Sequence, residues 1–196
     1  MPRGARGLID GGIYHIVTRG IDRRILFGDE IDKQHFLRIL RASLSKFGVF
    51  VFHYCLMPNH IHFLVKVIDA ADFPKFMQII LQKYAHYFRK KYHSVGFIFQ
   101  NRYKSRRIDN DAYLLECGRY IERNPLRSKI ALELRKYRWS SYLLYAEGRQ
   151  NGIVKLFDPL YLNLADTQEK RRKLYIDYVS QTRPYEDIID KEFHLK

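Results

Sequence analysis

The sequence predicts an α+β fold of ferredoxin-like (RRM-like) plan, a βαββαβ core with one four-stranded antiparallel sheet. An added helix and a partly helical C-terminal extension follow this core. Three observations predict it. Runs rich in β-branched and aromatic residues alternate with segments of helical period in the order strand, helix, strand, strand, helix, strand. The two middle runs are separated only by Pro58-Asn59, a turn that pairs antiparallel neighbours. A chain of 196 residues with 46% hydrophobic and 15% aromatic residues supplies one substantial core, so wholesale disorder is excluded.

The elements follow in order. Ile13-Tyr14-His15-Ile16-Val17 reads as the first strand, and Arg19-Gly20-Ile21-Asp22-Arg23-Arg24 as a basic turn. From about Asp29 to Phe47 the apolar positions Ile31, Phe36, Leu37, Leu40 and Leu44 fall at helical spacing; Asp29 or Asp32 caps the start and Gly48 ends it. Val49 to Leu56 is the second strand and His60 to Val67 the third. A second helix spans Phe73 to Tyr92, with Phe73, Phe76, Met77, Ile80, Leu81, Tyr84 and Phe88 on its apolar stripe and Lys75, Gln78, Gln82, His86 and Arg89 on the polar one. After Gly96, Phe97-Ile98-Phe99 and the basic stretch ending in Ser105-Arg106-Arg107-Ile108 form the last core strand. A third helix runs from about Asp111 to Arg123, closed by Pro125. The organisation is a domain over residues 8–145 and an extension over 146–196 of looser composition, weakly structured from Pro184 onward.

Charge narrows the function. Lys and Arg number 35 against 21 Asp and Glu, a net charge of +14 that calls for a polyanionic partner, nucleic acid before an anionic membrane surface. No apolar run is long enough to span a bilayer, and the basic N-terminus lacks the apolar stretch of a secretory signal. Cys55 and Cys117 read as reduced core cysteines of a cytoplasmic protein. Between Phe73 and Ile108 there is no acidic residue, and Phe97, Phe99 and Tyr103 interleave with the later basic positions, as expected for binding single-stranded nucleic acid.

Two motifs carry chemistry. His60 and His62 stand one residue apart in a strand, so both imidazoles project from one face while Ile61, Phe63, Val65 and Val67 fill the other. Such a pair is half a divalent-metal site, projecting from the sheet's less buried face; the spacing alone leaves a structural pair equally open. On the third helix Glu116, Tyr120 and Asn124 share one stripe, which places a phenol and an amide oxygen on successive turns where both can address a metal held by the histidines.

Five segments together resemble the single-tyrosine HUH transposases of the IS200/IS605 type, most closely their REP-associated tyrosine transposase branch. They are Gly12 to Gly20, Leu56 to Leu64, Gln100-Asn101-Arg102-Tyr103-Lys104-Ser105, Arg119-Tyr120-Ile121-Glu122-Arg123-Asn124-Pro125, and Trp139-Ser140-Ser141-Tyr142. The resemblance covers residues 8 to 145. It implies a nucleophilic Tyr120, a Mg²⁺ or Mn²⁺ ion on His60, His62 and Asn124, and cleavage and rejoining of single-stranded DNA beside a hairpin through a 5′-phosphotyrosine. It also implies DNA contacts by Arg19, Arg23, Arg24, Arg102, Lys104 and Arg106, work as a monomer or homodimer, and a cytoplasmic, nucleoid-associated location. Two other classes fit the same residues: a non-catalytic nucleic-acid-binding regulator, and a metal-dependent nuclease that uses water.

Overall fold

The computed structural model describes residues 7–193; the basic N-terminal residues 1–6 and residues 194–196 lie outside them. Four strands, β1 (Ile13–Arg19), β2 (Val49–Met57), β3 (His60–Val67) and β4 (Lys104–Arg107), form an antiparallel sheet in the order β2-β3-β1-β4, the ferredoxin-like arrangement. Only residues 104–107 of the predicted last strand pair as a strand; Phe99 makes an isolated bridge to Gly20.

α1 (Glu30–Leu44) and α2 (Asp72–Tyr92) lie on one face. The predicted cap is realised as a reciprocal box: Asp32 N–H donates to Asp29 Oδ1 at 2.9 Å and Asp29 N–H returns to Asp32 Oδ2 at 3.3 Å. Buried Asp32 also accepts from Lys91 Nζ at 2.6 Å and from the hydroxyls of Tyr87 and Tyr92, which ties α1 to α2. Phe63 of β3 meets Phe36 of α1 on this face, as the two-residue alternation predicts.

The other face is covered by α3 (Asp111–Arg127). Pro125 does not end this helix, contrary to expectation, but sits inside its last turn. A proline there removes an N–H donor and crowds the carbonyl one turn back. The Asn124 side-chain amide donates to Tyr120 O at 2.9 Å and so supplies a hydrogen bond in that turn.

Beyond the core come α4 (Tyr142–Glu147), α5 (Pro159–Leu162), α6 (Gln168–Ser180) and α7 (Tyr185–Phe193); α7 corrects the reading of weak structure from Pro184 as far as the described residues run. A buried polar knot attaches the extension. A bulge between Val51 and His53 turns His53 towards α3. There its Nδ1 meets Glu122 Oε1 at 2.9 Å and its Nε2 meets Asp158 Oδ2 at 3.3 Å. Glu122 also accepts from Ser141 Oγ at 2.6 Å and Tyr175 OH at 2.8 Å. Burial alone would lower the His53 pKa, yet the hydrogen bonds to Asp158 and Glu122 and their charges outweigh it and raise it to about 9.

A folded-state value above the unfolded 6.5 stabilises the protein fully below pH 6.5, and the contribution is lost as pH rises through about 9. Unfolding in urea should therefore show wild-type stability declining between pH 7 and 10 by an amount on the order of 3 kcal/mol. His53→Gln should lower stability at pH 7 and flatten that decline; an equal slope in both proteins would refute the assignment.

Candidate active site

The antiparallel register sets His62 opposite Val17 and His60 opposite Arg19, so His60, His62, Val17 and His15 share the face that α3 covers. The His60 and His62 ring centroids are 4.9 Å apart. Gly118 lets α3 come close: a Cβ there would fall 2.8 Å from His53 Nε2. Two residues on, the Tyr120 ring lies 5.5 Å from that of His62 and 5.9 Å from that of His15. The structure thus brings His60, His62 and Tyr120 together. Asn124 follows one turn later on the same stripe of α3 and is buried.

His15 is a member that the sequence reading missed. Its Nε2 lies 3.0 Å from His62 Nδ1, and both rings are wholly buried. Its position two residues from Val17, diagonal to His62, is the signal that a two-strand register would have revealed. Among the described residues, buried His62 Nε2 meets no hydrogen-bond partner. Burial lowers the pKa of all three histidines: to about 3 for His15, aided by Arg106; to about 4 for His60, aided by Arg19; and well below 6.5 for His62. The rings are neutral, as ligation of a metal requires.

The expected less buried face is not there. His62 has no exposed surface, and Tyr120 is 1% exposed, because α7 closes over them. Tyr120 OH donates to Asp190 Oδ1 at 2.8 Å, and Arg127 NH2 holds Asp190 Oδ2 at 2.6 Å. The Phe193 ring sits 4.4 Å from the His15 ring, and Lys104 Nζ donates to Phe193 O at 2.8 Å. Burial raises the Tyr120 pKa, and the Asp190 carboxylate raises it further. Glu186 of α7 accepts from Arg119 NH1 at 3.2 Å and Arg123 Nε at 2.6 Å and forms an ion pair with Arg127, whose Nε lies 3.0 Å from Glu186 Oε2. These arginines recur every four residues beside Tyr120, a cationic stripe also missed in the sequence although its period was there to read.

The cationic positions divide into groups. Arg19, Arg102 and Lys104 line a cleft of about 290 Å³ with Thr18, Gln100 and Phe193. Arg106 pairs in register with His15 and stacks its guanidinium over Tyr113 at 4.4 Å. Arg23 and Arg24 are exposed at the turn after β1, with Arg24 bonded to Ser94 Oγ.

A sequence model of IS200-like transposases matches residues 9–124, most of the sheet and the helix that bears Tyr120. The protein is therefore a transposase, an enzyme acting on DNA. More narrowly, the chain belongs to the IS200-like transposase family. Among solved structures it is similar to a REP-associated tyrosine transposase bound to a REP hairpin, at 18% identity over 78% of this chain and 90% of that one, with a TM-score of 0.62; that likeness is one of fold. A candidate transposase from Deinococcus radiodurans R1 matches at 17% identity over 65% of this chain and 92% of its own, with a TM-score of 0.42. No curated protein matches the chain. Among the described residues no helix is long and apolar enough to cross a membrane.

Proposed function

We propose that this transposase cleaves and rejoins single-stranded DNA beside a hairpin, with Tyr120 as nucleophile and His60, His62 and Asn124 as ligands of Mg²⁺ or Mn²⁺. The observation that carries the reading is the Tyr120 ring 5.5 Å from a buried His62 whose Nε2 has no other partner. With His62 Nδ1–H donating to His15 Nε2, the Nε2 lone pair is left for a cation and His15 fixes the ring. The Asn124 amide nitrogen is spent on Tyr120 O, which leaves its oxygen as a ligand. A bound divalent cation would polarise the scissile phosphate and favour the phenolate.

In the step itself the Tyr120 oxygen bonds to phosphorus, the bond from phosphorus to the 3′-oxygen breaks, and the phenolic proton leaves to solvent as the 3′-oxygen gains one. The phosphodiester is conserved as a 5′-phosphotyrosine, so attack by a second 3′-hydroxyl joins strands without an external energy source. A flexible single strand fits such a buried site, whereas a stacked duplex holds its phosphates away. Arg19, Arg102 and Lys104 flank the route to the histidines. Arg23, Arg24 and Arg106 extend the cationic surface to the hairpin, and contacts of this kind position DNA without reading its sequence. The hairpin-bound relative supports that choice of partner. The working unit is a monomer or a homodimer, acting in the cytoplasm on the nucleoid.

Incubation of the protein with end-labelled hairpin DNA and Mg²⁺ or Mn²⁺, followed by denaturation, should yield a covalent protein–DNA adduct. Cleavage with no adduct in any condition would favour the hydrolytic nuclease, and binding without cleavage the regulator. His60→Ala should abolish adduct formation while leaving hairpin affinity within a few-fold of wild type, since phosphate contacts supply most of the binding free energy. Parallel loss of both would break this division of labour.

A further inference from the structure

The polar stripe of α2 and the aromatic residues after Gly96, both visible in the sequence, meet in a groove that the chemistry above leaves unused. It encloses about 850 Å³ between α2 and residues 97–103. On one wall stand Gln78, Gln82 and Arg89, spaced along one face of α2; on the other are Phe97 and Phe99. Phe97 is 81% exposed. The chain that follows it is nevertheless anchored, because Ile21 N–H donates to Ile98 O at 2.9 Å and Gln100 N–H to Arg19 O at 2.9 Å. No acidic residue lines the groove. Gln100, Asn101 and Arg102 line both this groove and the cleft of Arg19 and Lys104, so the two adjoin along a shared wall.

We infer that this groove seats an unpaired base of the single-stranded DNA, stacked on Phe97 and hydrogen-bonded by Gln78, Gln82 and Arg89, while the strand runs past Arg102 to the histidines and Tyr120. The identity of the polymer rests on the function proposed above. The groove itself argues for a base. An exposed aromatic face beside cations is what stacking and phosphate contact require, and every base offers a π-face. Glutamine amides carry donors and acceptors together, matching a base edge that is free only when unpaired. The positive lining complements the strand's phosphates, and the shared wall gives the strand one path between groove and catalytic centre.

The test uses fluorescein-labelled dT12 and the same oligonucleotide with one central 5-iododeoxyuridine, in EDTA so that binding is read apart from cleavage. Ultraviolet irradiation should crosslink the iodinated base to Phe97 or Phe99, mapped by peptide mass spectrometry. Phe97→Ala, a change at an exposed position that leaves the core intact, should weaken dT12 binding about tenfold. Crosslinks confined to other residues, or binding by Phe97→Ala equal to wild type, would overturn the groove assignment. Neither readout needs a metal or Tyr120. A protein that crosslinks at Phe97 yet never forms the phosphotyrosine adduct keeps the groove and loses the proposed chemistry; the reverse pattern removes the groove alone.

Discussion

Tyr120→Phe will form no covalent adduct with hairpin DNA, and strand cleavage will fall to background. Loss of a covalent nucleophile is among the largest single-residue effects known, on the order of a million-fold in enzymes where it has been isolated. The substitution isolates the chemistry because it barely touches the fold. The ring keeps its place against His62 and His15, and the one hydrogen bond removed runs to Asp190, which retains Arg127 at 2.6 and 3.2 Å. The expected stability cost is about 1 kcal/mol, the usual net value of one such bond. A thermal melt near that of wild type, with no adduct on a denaturing gel, is the predicted pair of results. Undiminished cleavage by Tyr120→Phe would mean that water or another side chain attacks the phosphate, and the hydrolytic nuclease would replace the transposition chemistry.

Removal of α7 by ending the chain after Thr182 should raise the rate of adduct formation tenfold or more, by an effect on the order of 10–100 if the helix stands open 1–10% of the time. The helix lies over the Tyr120 hydroxyl. Asp190 accepts the hydrogen bond of the Tyr120 hydroxyl, Glu186 forms ion pairs with three arginines beside it, and Phe193 covers His15. The α7 carboxylates sit where a phosphate's oxygens would find the same donors, so on the proposed function helix and DNA would compete for Arg119, Arg123 and Arg127. Truncation leaves Arg119 with Glu116 Oε2 at 3.0 Å and Arg123 with the carbonyls of Val179 and Ser180 at 2.7 and 2.8 Å, so neither is left buried without a partner. Glu186→Gln in the full chain tests the same competition more gently and should move the rate in the same direction. A truncated protein that melts like the parent but cleaves no faster would show that α7 leaves freely or belongs to the working site.

Much of this was legible in the sequence, and the reasons differ by element. The bounds of β3 were read correctly because His60, His62 and Lys66 alternate with apolar residues, broken only at Leu64, and Pro58-Asn59 punctuates the run. The α1 cap was readable because Asp29 and Asp32 interact within one turn. Pro125 misled, since the rule that proline ends a helix is local, and the hydrogen bond from the Asn124 side chain within that turn is not written in propensity. Glu122, inside the segment that bears Tyr120 and Asn124, has a structural role: it grips His53, Ser141 and Tyr175. Nothing in its own neighbourhood announces partners 69, 19 and 53 positions away.

The sequence by itself determined the sheet, its order of elements, the basic character of the surface and the pairing of two imidazoles with a helical tyrosine. The charge is written in composition, and the elements and the two motifs in periods of two or four residues, each within its own stretch of chain. Only the tertiary structure decided that His15 braces His62, that an arginine stripe adjoins the phenol, and that a C-terminal helix lies across the whole centre. Those outcomes depend on which distant segments meet, and burial, hydrogen bonding and charge pairing settle that only when the chain is folded.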